Sequence, residues 1–220
     1  MMTAYEIKIE VLSDAAFGSG DGIAGFVDMD LEYDGNGFPM LKGKTLKGIM
    51  TERCDFILDC LRQYKNPFLE EYIVSRQRLF GSHGSIYGCI MHICNAVIPG
   101  KVEKWLMAAI SQNRVTADEV ENAITNTVVQ TAVDQKTKEV KKNRLRTTRV
   151  LLHGNFLSSS LVFVEEPTVF DMELLTVSLV SIKGIGLAKT RGRGRVSVSL
   201  WDGSNEITDE YLNSFIEKVR

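Results

Sequence analysis

The hydrophobic period changes several times along the chain, and each change marks an element. Residues 5–12 alternate, with Tyr5, Ile7, Ile9 and Val11 on one side, and predict a strand. A glycine-rich turn (18–25) leads into residues 26–33, which carry Asp28, Asp30 and Glu32; Asp34-Gly35-Asn36-Gly37 is then a strong turn signal. From Thr45, a predicted N-cap, Leu46, Ile49, Met50, Cys54, Ile57, Leu58 and Leu61 form the stripe of an amphipathic helix. A short helical segment over 68–73 precedes Arg78-Leu79-Phe80-Gly81-Ser82. The mostly apolar run 86–98, ended by Pro99-Gly100, predicts a strand. Residues 102–112 predict a helix, and Thr116 with Glu119 is a capping box for a further one ending near 125. Residues 131–150 have β-branched flanks and a turn-like middle, the pattern of a projecting hairpin or mobile arm. A strand (156–164), a helix (171–182), a strand (196–201) and a closing helix from Thr208 complete the chain.

Stripped of insertions, the order is strand, helix, strand, strand, helix, strand. That is the split βαβ of ferredoxin-like and RRM folds, an α+β class whose four-stranded sheet commonly serves as an RNA platform. The expectation is one domain over residues 1–220, with an insertion at 100–153 that contains a basic arm at 131–150.

Composition agrees with a globular chain: 220 residues, 44% hydrophobic and 25% charged, enough to bury a real core. No apolar run approaches the roughly 20 residues of a membrane span, and the first residues lack the basic and apolar regions of a signal peptide. A cytoplasmic protein with no membrane partner is expected. Cys54, Cys60, Cys89 and Cys94 follow no CxxC spacing, so reduced thiols are expected and no zinc site is predicted from them with His83 and His92. The net charge of −2 excludes indiscriminate coating of nucleic acid, but the distribution is uneven. Between residues 136 and 149 lie seven basic side chains against one acid, Glu139. Local basic stripes on a balanced chain suit a defined groove for a polyanion.

A second such stripe is Lys183-Gly184-Ile185-Gly186-Leu187-Ala188-Lys189-Thr190-Arg191-Gly192-Arg193-Gly194-Arg195, where four glycines and five basic residues share thirteen positions with no acid. It runs between an apolar helix signal and a strand pattern. The expectation is a pliant binding loop whose bared N–H groups and cations grip phosphates. Lys42, Lys44 and Lys47 form a third basic run.

Two nucleotide motifs fail on their context. Gly20-Asp21-Gly22-Ile23-Ala24-Gly25 matches GxGxxG, but an acidic extended segment follows where a dinucleotide site needs a helix. Gly43-Lys44-Thr45 looks like the end of a P-loop, yet the required first glycine would fall on Phe38. His83, His92 and His153 have no evident partners for acyl transfer.

Taken together, the chain resembles the RAMP superfamily, and within it the repeated crRNA-binding backbone subunit of type III CRISPR effector complexes. Lys189-Thr190-Arg191-Gly192-Arg193-Gly194-Arg195-Val196 resembles the family's glycine-rich loop; Leu46-Lys47-Gly48 stands where the family has a helix-opening LKG; and Leu79-Phe80-Gly81-Ser82 resembles its LFGS. Residues 131–137 with Leu145, Val150, Gly154 and Phe156 are similar to its thumb hairpin and return strand. Lys42-Gly43-Lys44-Thr45 departs from the usual Pro-Gly-Ser-Ser, and the 184–187 portion is longer than a simple glycine pair.

The resemblance implies guide crRNA lying along a filament of such subunits, with thumbs that splay the duplex formed with complementary target RNA. It implies further copies of the chain and other effector subunits as partners, and one loop aspartate needed to cut the target. The family's aspartate precedes a second by six residues, which points to Asp28 ahead of Asp34, with Asp30 as runner-up. Such an aspartate either accepts a 2′-OH proton or helps hold Mg²⁺. Lys42, Lys44, Lys47, Lys189, Arg191, Arg193 and Arg195 are then expected on guide phosphates. Lys138, Lys141, Lys142, Arg144 and Arg146 are expected to reach both strands from the thumb. A non-catalytic structural subunit of the same assembly and an endoribonuclease that processes the CRISPR transcript remain the alternatives.

Overall fold

The computed structural model describes residues 4–18, 20, 22, 27–81, 88–133 and 140–220, and the backbone alone at 4, 131–133 and 140–144. Strand β1 (Ala4–Val11) is the centre of the molecule. It pairs antiparallel on one side with β5 (Phe156–Phe163) and on the other with β6 (Val196–Asp202). β2 (Met91–Ile93) adds to β5, and the two-residue β7 (Asn205–Glu206) adds to β6, giving the order β2-β5-β1-β6-β7. With helix α1 (Gly43–Gln63) between β1 and β2 and helix α5 (Val169–Val180) between β5 and β6, the fold is the antiparallel ferredoxin-like βαββαβ sandwich, of class α+β.

Alternation decides which face of the sheet is covered. Ile7, Ile9 and Val11 of β1 line up with Leu157 and Leu161 of β5 and Val198 and Leu200 of β6, all buried under α1 and α5. The opposite face carries Glu6, Lys8, Ser158, Ser160, Ser197 and Ser199, half-exposed or exposed. It also carries Trp201, whose ring is capped by the Lys8 ammonium at 3.3 Å, and Phe156, exposed at the start of β5. Trp201 and Phe156 lie on different strands of this face, opposite Glu6 and Glu10 of β1, and the basic side chains gather instead at the end of the sheet.

Helix α1 buries the predicted stripe: Leu46, Met50, Cys54, Ile57, Leu58 and Leu61 are all in the core. It begins at Gly43 rather than after Thr45, and no side chain caps it. Gly43 is there because a Cβ would stand 2.4 Å from the Ile93 carbonyl oxygen; the bare backbone lets the helix start press on β2 while its N–H donates to Asn95 Oδ1. The segment predicted at 68–73 is longer, α2 (Leu69–Phe80), because Tyr72, Ser75 and Leu79 continue a buried face through Leu79 and Phe80. The strand expected over 86–98 reduces to β2, with residues 82–87 outside the described residues.

Between β2 and β5 come α3 (Gly100–Ser111), α4 (Ala117–Ile124), β3 (Thr125–Val133) and β4 (Val140–Leu151). The Thr116–Glu119 capping box is present, both of its hydrogen bonds made. β3 and β4 form a separate two-stranded antiparallel hairpin, in register from Thr125 opposite Leu151 to Thr131 opposite Leu145. The last helix, α6 (Thr208–Val219), packs on α5. Glu173 of α5, fully buried, binds Tyr72 of α2 and both Ser214 and Lys218 of α6, so one carboxylate ties three helices together. Among the described residues no helix is long and apolar enough to cross a membrane.

Candidate nucleic-acid interface

The segment carrying Asp28 runs beside the root of the β3–β4 hairpin. The Asp28 N–H meets both the Thr147 carbonyl and hydroxyl oxygens at 3.0 Å, and the Arg149 N–H donates to the Met29 carbonyl. In return the Thr147 N–H and hydroxyl donate to Asp28 Oδ2 at 2.6 and 3.0 Å, across 119 residues of sequence. Those two bonds, with the nearby Arg146 charge, outweigh slight desolvation and hold the Asp28 carboxyl below the usual carboxylate range. Asp28 is exposed, and its Oδ1 has no hydrogen-bond partner among the described residues.

Asp30, two residues on, is placed differently. It is 8% exposed; its Oδ1 accepts from the Leu31 N–H at 2.8 Å and lies 3.0 Å from Arg149 Nε and 3.2 Å from the Tyr33 hydroxyl. Arg149 also pairs with Glu121 at 2.9 Å, so Asp30 belongs to a buried cluster that joins the loop to α4 and β4.

The glycine-rich loop comes to the same side. Arg191 Nη1 lies 3.4 Å from Gln130 Oε1 of β3, whose cross-strand partner is Arg146, next to Thr147. The base of the loop is tied to protein by its amides, while the N–H groups of Lys189, Thr190 and Arg193 have no acceptor among the described residues. Ile185 N–H donates to the Gly194 carbonyl, Leu187 N–H to Ala16, Gly194 N–H to Asp14, Val196 N–H to Lys183, and Arg195 N–H to the Ser13 hydroxyl. A single 3₁₀ turn (Lys189–Arg191) closes the tip. Glycine is required here for close approach: at Gly194 (φ 67°) a Cβ would stand 2.0 Å from the Ile185 carbonyl oxygen, and at Gly186 (φ 73°) 2.1 Å from that of Ala16. Lys189, Arg191 and Arg195 are exposed and Arg193 half-buried.

Between this loop and α1 lies a mainly apolar cavity of about 420 Å³. Phe17, Met29, Met40, Ile49 and Leu187 are among its lining, and Glu32, Lys42 and Lys189 are its charged members. Lys42 pairs with Glu32 at 2.7 Å, and Lys44 is exposed. Lys47 is not brought to this place: its ammonium is 2.8 Å from Cys89 Sγ on the β2 side. On the thumb, Arg146 is exposed; Lys141, Lys142 and Arg144 lie on β4 with backbone alone described, and Lys138 lies outside the described residues.

His153 does have a partner, contrary to the sequence expectation. Its Nδ1 is 2.9 Å from Asp14 Oδ1, and its N–H donates to the same oxygen at 3.0 Å. The pair sits just beyond the Leu151 end of β4 and braces Asp14, whose carbonyl holds Gly194. His92 is exposed, and His83 lies outside the described residues. Burial pushes the Cys54 thiol up to about 12, which keeps it protonated and unsuited to bind metal. Among the described residues no three His, Cys, Asp or Glu side chains gather as a metal site.

No protein-family model matches the chain, and no curated protein does. Solved structures do share its fold. A chain of the Type III-B Cmr-beta cryo-EM structure in the apo state superposes with a TM-score of 0.65 at 13% identity, covering 92% of this chain and 98% of that one. A chain of the Type III-B Cmr-beta structure bound to cognate target RNA gives 0.64 at 12% identity, covering 95% and 98%. Likeness at that identity establishes a common architecture over nearly the whole of both chains.

Proposed function

We propose that this chain is a crRNA-binding backbone subunit of a type III CRISPR effector complex and that Asp28 is the carboxylate at which guide-complementary target RNA is cut. The observation that carries the reading is the meeting of Asp28, Arg146 and Arg191 at the root of the hairpin, three residues that the chain supplies from three distant segments. Around it stand Lys42 and Lys189 of the mainly apolar cavity and the shared architecture with chains of a structure bound to cognate target RNA. Lys42, Lys44, Lys189, Arg191, Arg193 and Arg195 supply phosphate contacts, which position a strand without reading its sequence.

RNA brings its own nucleophile. Once the strand is kinked, the 2′-OH gives its proton to water and its oxygen bonds to the adjacent phosphorus. The P–O5′ bond breaks with the 5′-oxygen taking a proton from water, which leaves a 2′,3′-cyclic phosphate and a 5′-OH. Alignment of the three reacting atoms provides much of the acceleration. Asp28 stays ionised because Thr147 holds its charge, and a carboxyl kept so acidic is a weak general base. Its role is electrostatic and positional: one oxygen is fixed by the hairpin and the other is turned to solvent. A single carboxylate beside RNA phosphates fits Mg²⁺, a hard cation that keeps several waters and takes few protein ligands, and does not fit a protein-only zinc site. Asp28 would hold Mg²⁺, which supplies neutralisation of charge on the phosphate.

A second reading has its own observation. The Asp28–Thr147 bonds are a sufficient structural reason for an aspartate here, as expected of a subunit that extends the filament without cutting. The two are separated by Asp28→Asn in the assembled complex, with Mg²⁺ and labelled complementary RNA. Asparagine keeps an oxygen for Thr147 and removes the charge. Target binding that survives with cleavage reduced at least a hundredfold supports catalysis; cleavage at the wild-type rate overturns it.

A further inference from the structure

Behind the glycine-rich loop, separate from the apolar cavity, lies a second concavity of about 360 Å³. Five cations line it: Arg53 from α1, Lys183 three residues past the end of α5, and Lys189, Arg193 and Arg195 from the loop. Ser181 and Thr190 add hydroxyls, and no carboxylate is part of the lining. Among the described residues, Lys183, Lys189, Arg193 and Arg195 have no carboxylate within 4 Å; Arg53 pairs with its neighbour Glu52 at 2.9 Å. Four of the five come from the basic stretch 183–195, and the fold adds Arg53 from 130 residues away. Like charges so placed repel, and a cleft of one sign focuses its field on an incoming anion. The volume also sets a scale. A water takes about 30 Å³ of liquid, so the space suits an anion of nucleotide size rather than a halide.

We propose that this concavity is a phosphate site that holds the backbone of the bound RNA strand one step beyond the loop, with Arg53 and Lys183 as its outer clamps. The proposal rests on the RNA-binding reading above and adds residues that the loop pattern does not contain. Lys189 decides in favour of a strand over a free polyphosphate: it lines both cavities, so a chain whose base or ribose occupies the apolar one crosses Lys189 and sets a neighbouring phosphate here. The lining offers guanidinium, ammonium and hydroxyl groups, and a grip on the backbone by such groups is sequence-blind.

The test uses the full chain and a mixed-sequence single-stranded RNA, titrated at several salt concentrations, with inorganic tripolyphosphate titrated in parallel. Loss of one single-strand phosphate contact flattens the slope of log K against log salt by about 0.7, which amounts to about fivefold in affinity at 0.1 M salt. Arg53→Gln with Lys183→Gln is expected to show that loss, and the charge-keeping pair Arg53→Lys with Lys183→Arg to restore it. An unchanged slope in the Gln pair, beside a reduced one in Arg191→Gln, overturns the proposal and leaves the RNA-binding reading standing. Tripolyphosphate binding that vanishes in the Gln pair while RNA binding does not change overturns the strand assignment in favour of a free polyphosphate. Wild-type chain that binds no RNA at any salt removes the functional reading and this proposal with it.

Discussion

Ala188 holds the backbone at φ 59° and ψ 28°, the left-handed region, immediately before the 3₁₀ turn of the basic loop. For a residue with a Cβ this costs roughly 1–2 kcal/mol. Glycine would remove the strain but adds freedom to the unfolded chain, so Ala188→Gly is expected to stabilise by about 0.5–1 kcal/mol. The check is a denaturant midpoint that rises with an unchanged m-value. Asp14 gives a pH dependence with a definite sign. Burial raises its carboxyl, but the His153 ring and amide, with the Arg193 charge, outweigh that and leave it below the ordinary value. A lowered folded value means stabilisation that is complete above the unfolded value of about 3.9 and is lost as pH falls through the folded one. Asp14→Asn is expected to cost about 1 kcal/mol at pH 7, the upper range for a charged hydrogen bond being discounted for partial exposure. The gap between variant and wild type should close below pH 4 in thermal unfolding; a gap that widens there would contradict the assignment.

At the scale of elements, what hydrophobic period decides was readable and what close approach decides was not. The α1 stripe, the Thr116 capping box and the strand alternation of β1, β5 and β6 follow from side-chain identity alone. The helix start at Gly43, with no cap, follows from the Ile93 carbonyl pressed against it, and no local signal distinguishes that from Thr45 as N-cap. Gly43→Ala should therefore behave unlike an ordinary helix substitution, which would gain stability. We expect a loss of about 2 kcal/mol, because backbone has to shift to admit the Cβ. The three-helix tie at Glu173 was equally hidden, since its partners lie on α2 and α6. Lys218→Met leaves that buried carboxylate without its counter-charge, and an unfolding free energy lower by about 3 kcal/mol is expected.

Across the whole molecule, the candidate site exists only because the topology folds three segments onto one end of the sandwich. Residue types and spacing point to the basic arm and the basic loop one by one, and Asp28 is pointed to only by the family resemblance. Their adjacency through Thr147 and Gln130, the turning of Lys47 toward Cys89, and the pinning of the loop's base required the fold. That pinning sharpens the expectation for RNA binding. A pliant loop would let remaining cations re-form lost contacts, whereas a loop whose base is fixed by Ala16, Ser13 and Asp14 limits how far its backbone can shift to do so. Arg191→Gln with Arg146→Gln should then lower the salt slope of single-stranded RNA binding by about 1.4, the sum of two contacts at about 0.7 each, uniformly across sequences. Additivity is the diagnostic part. If the double variant loses no more slope than either single one, the two guanidinium groups share one phosphate, and the strand crosses the hairpin root instead of running along it.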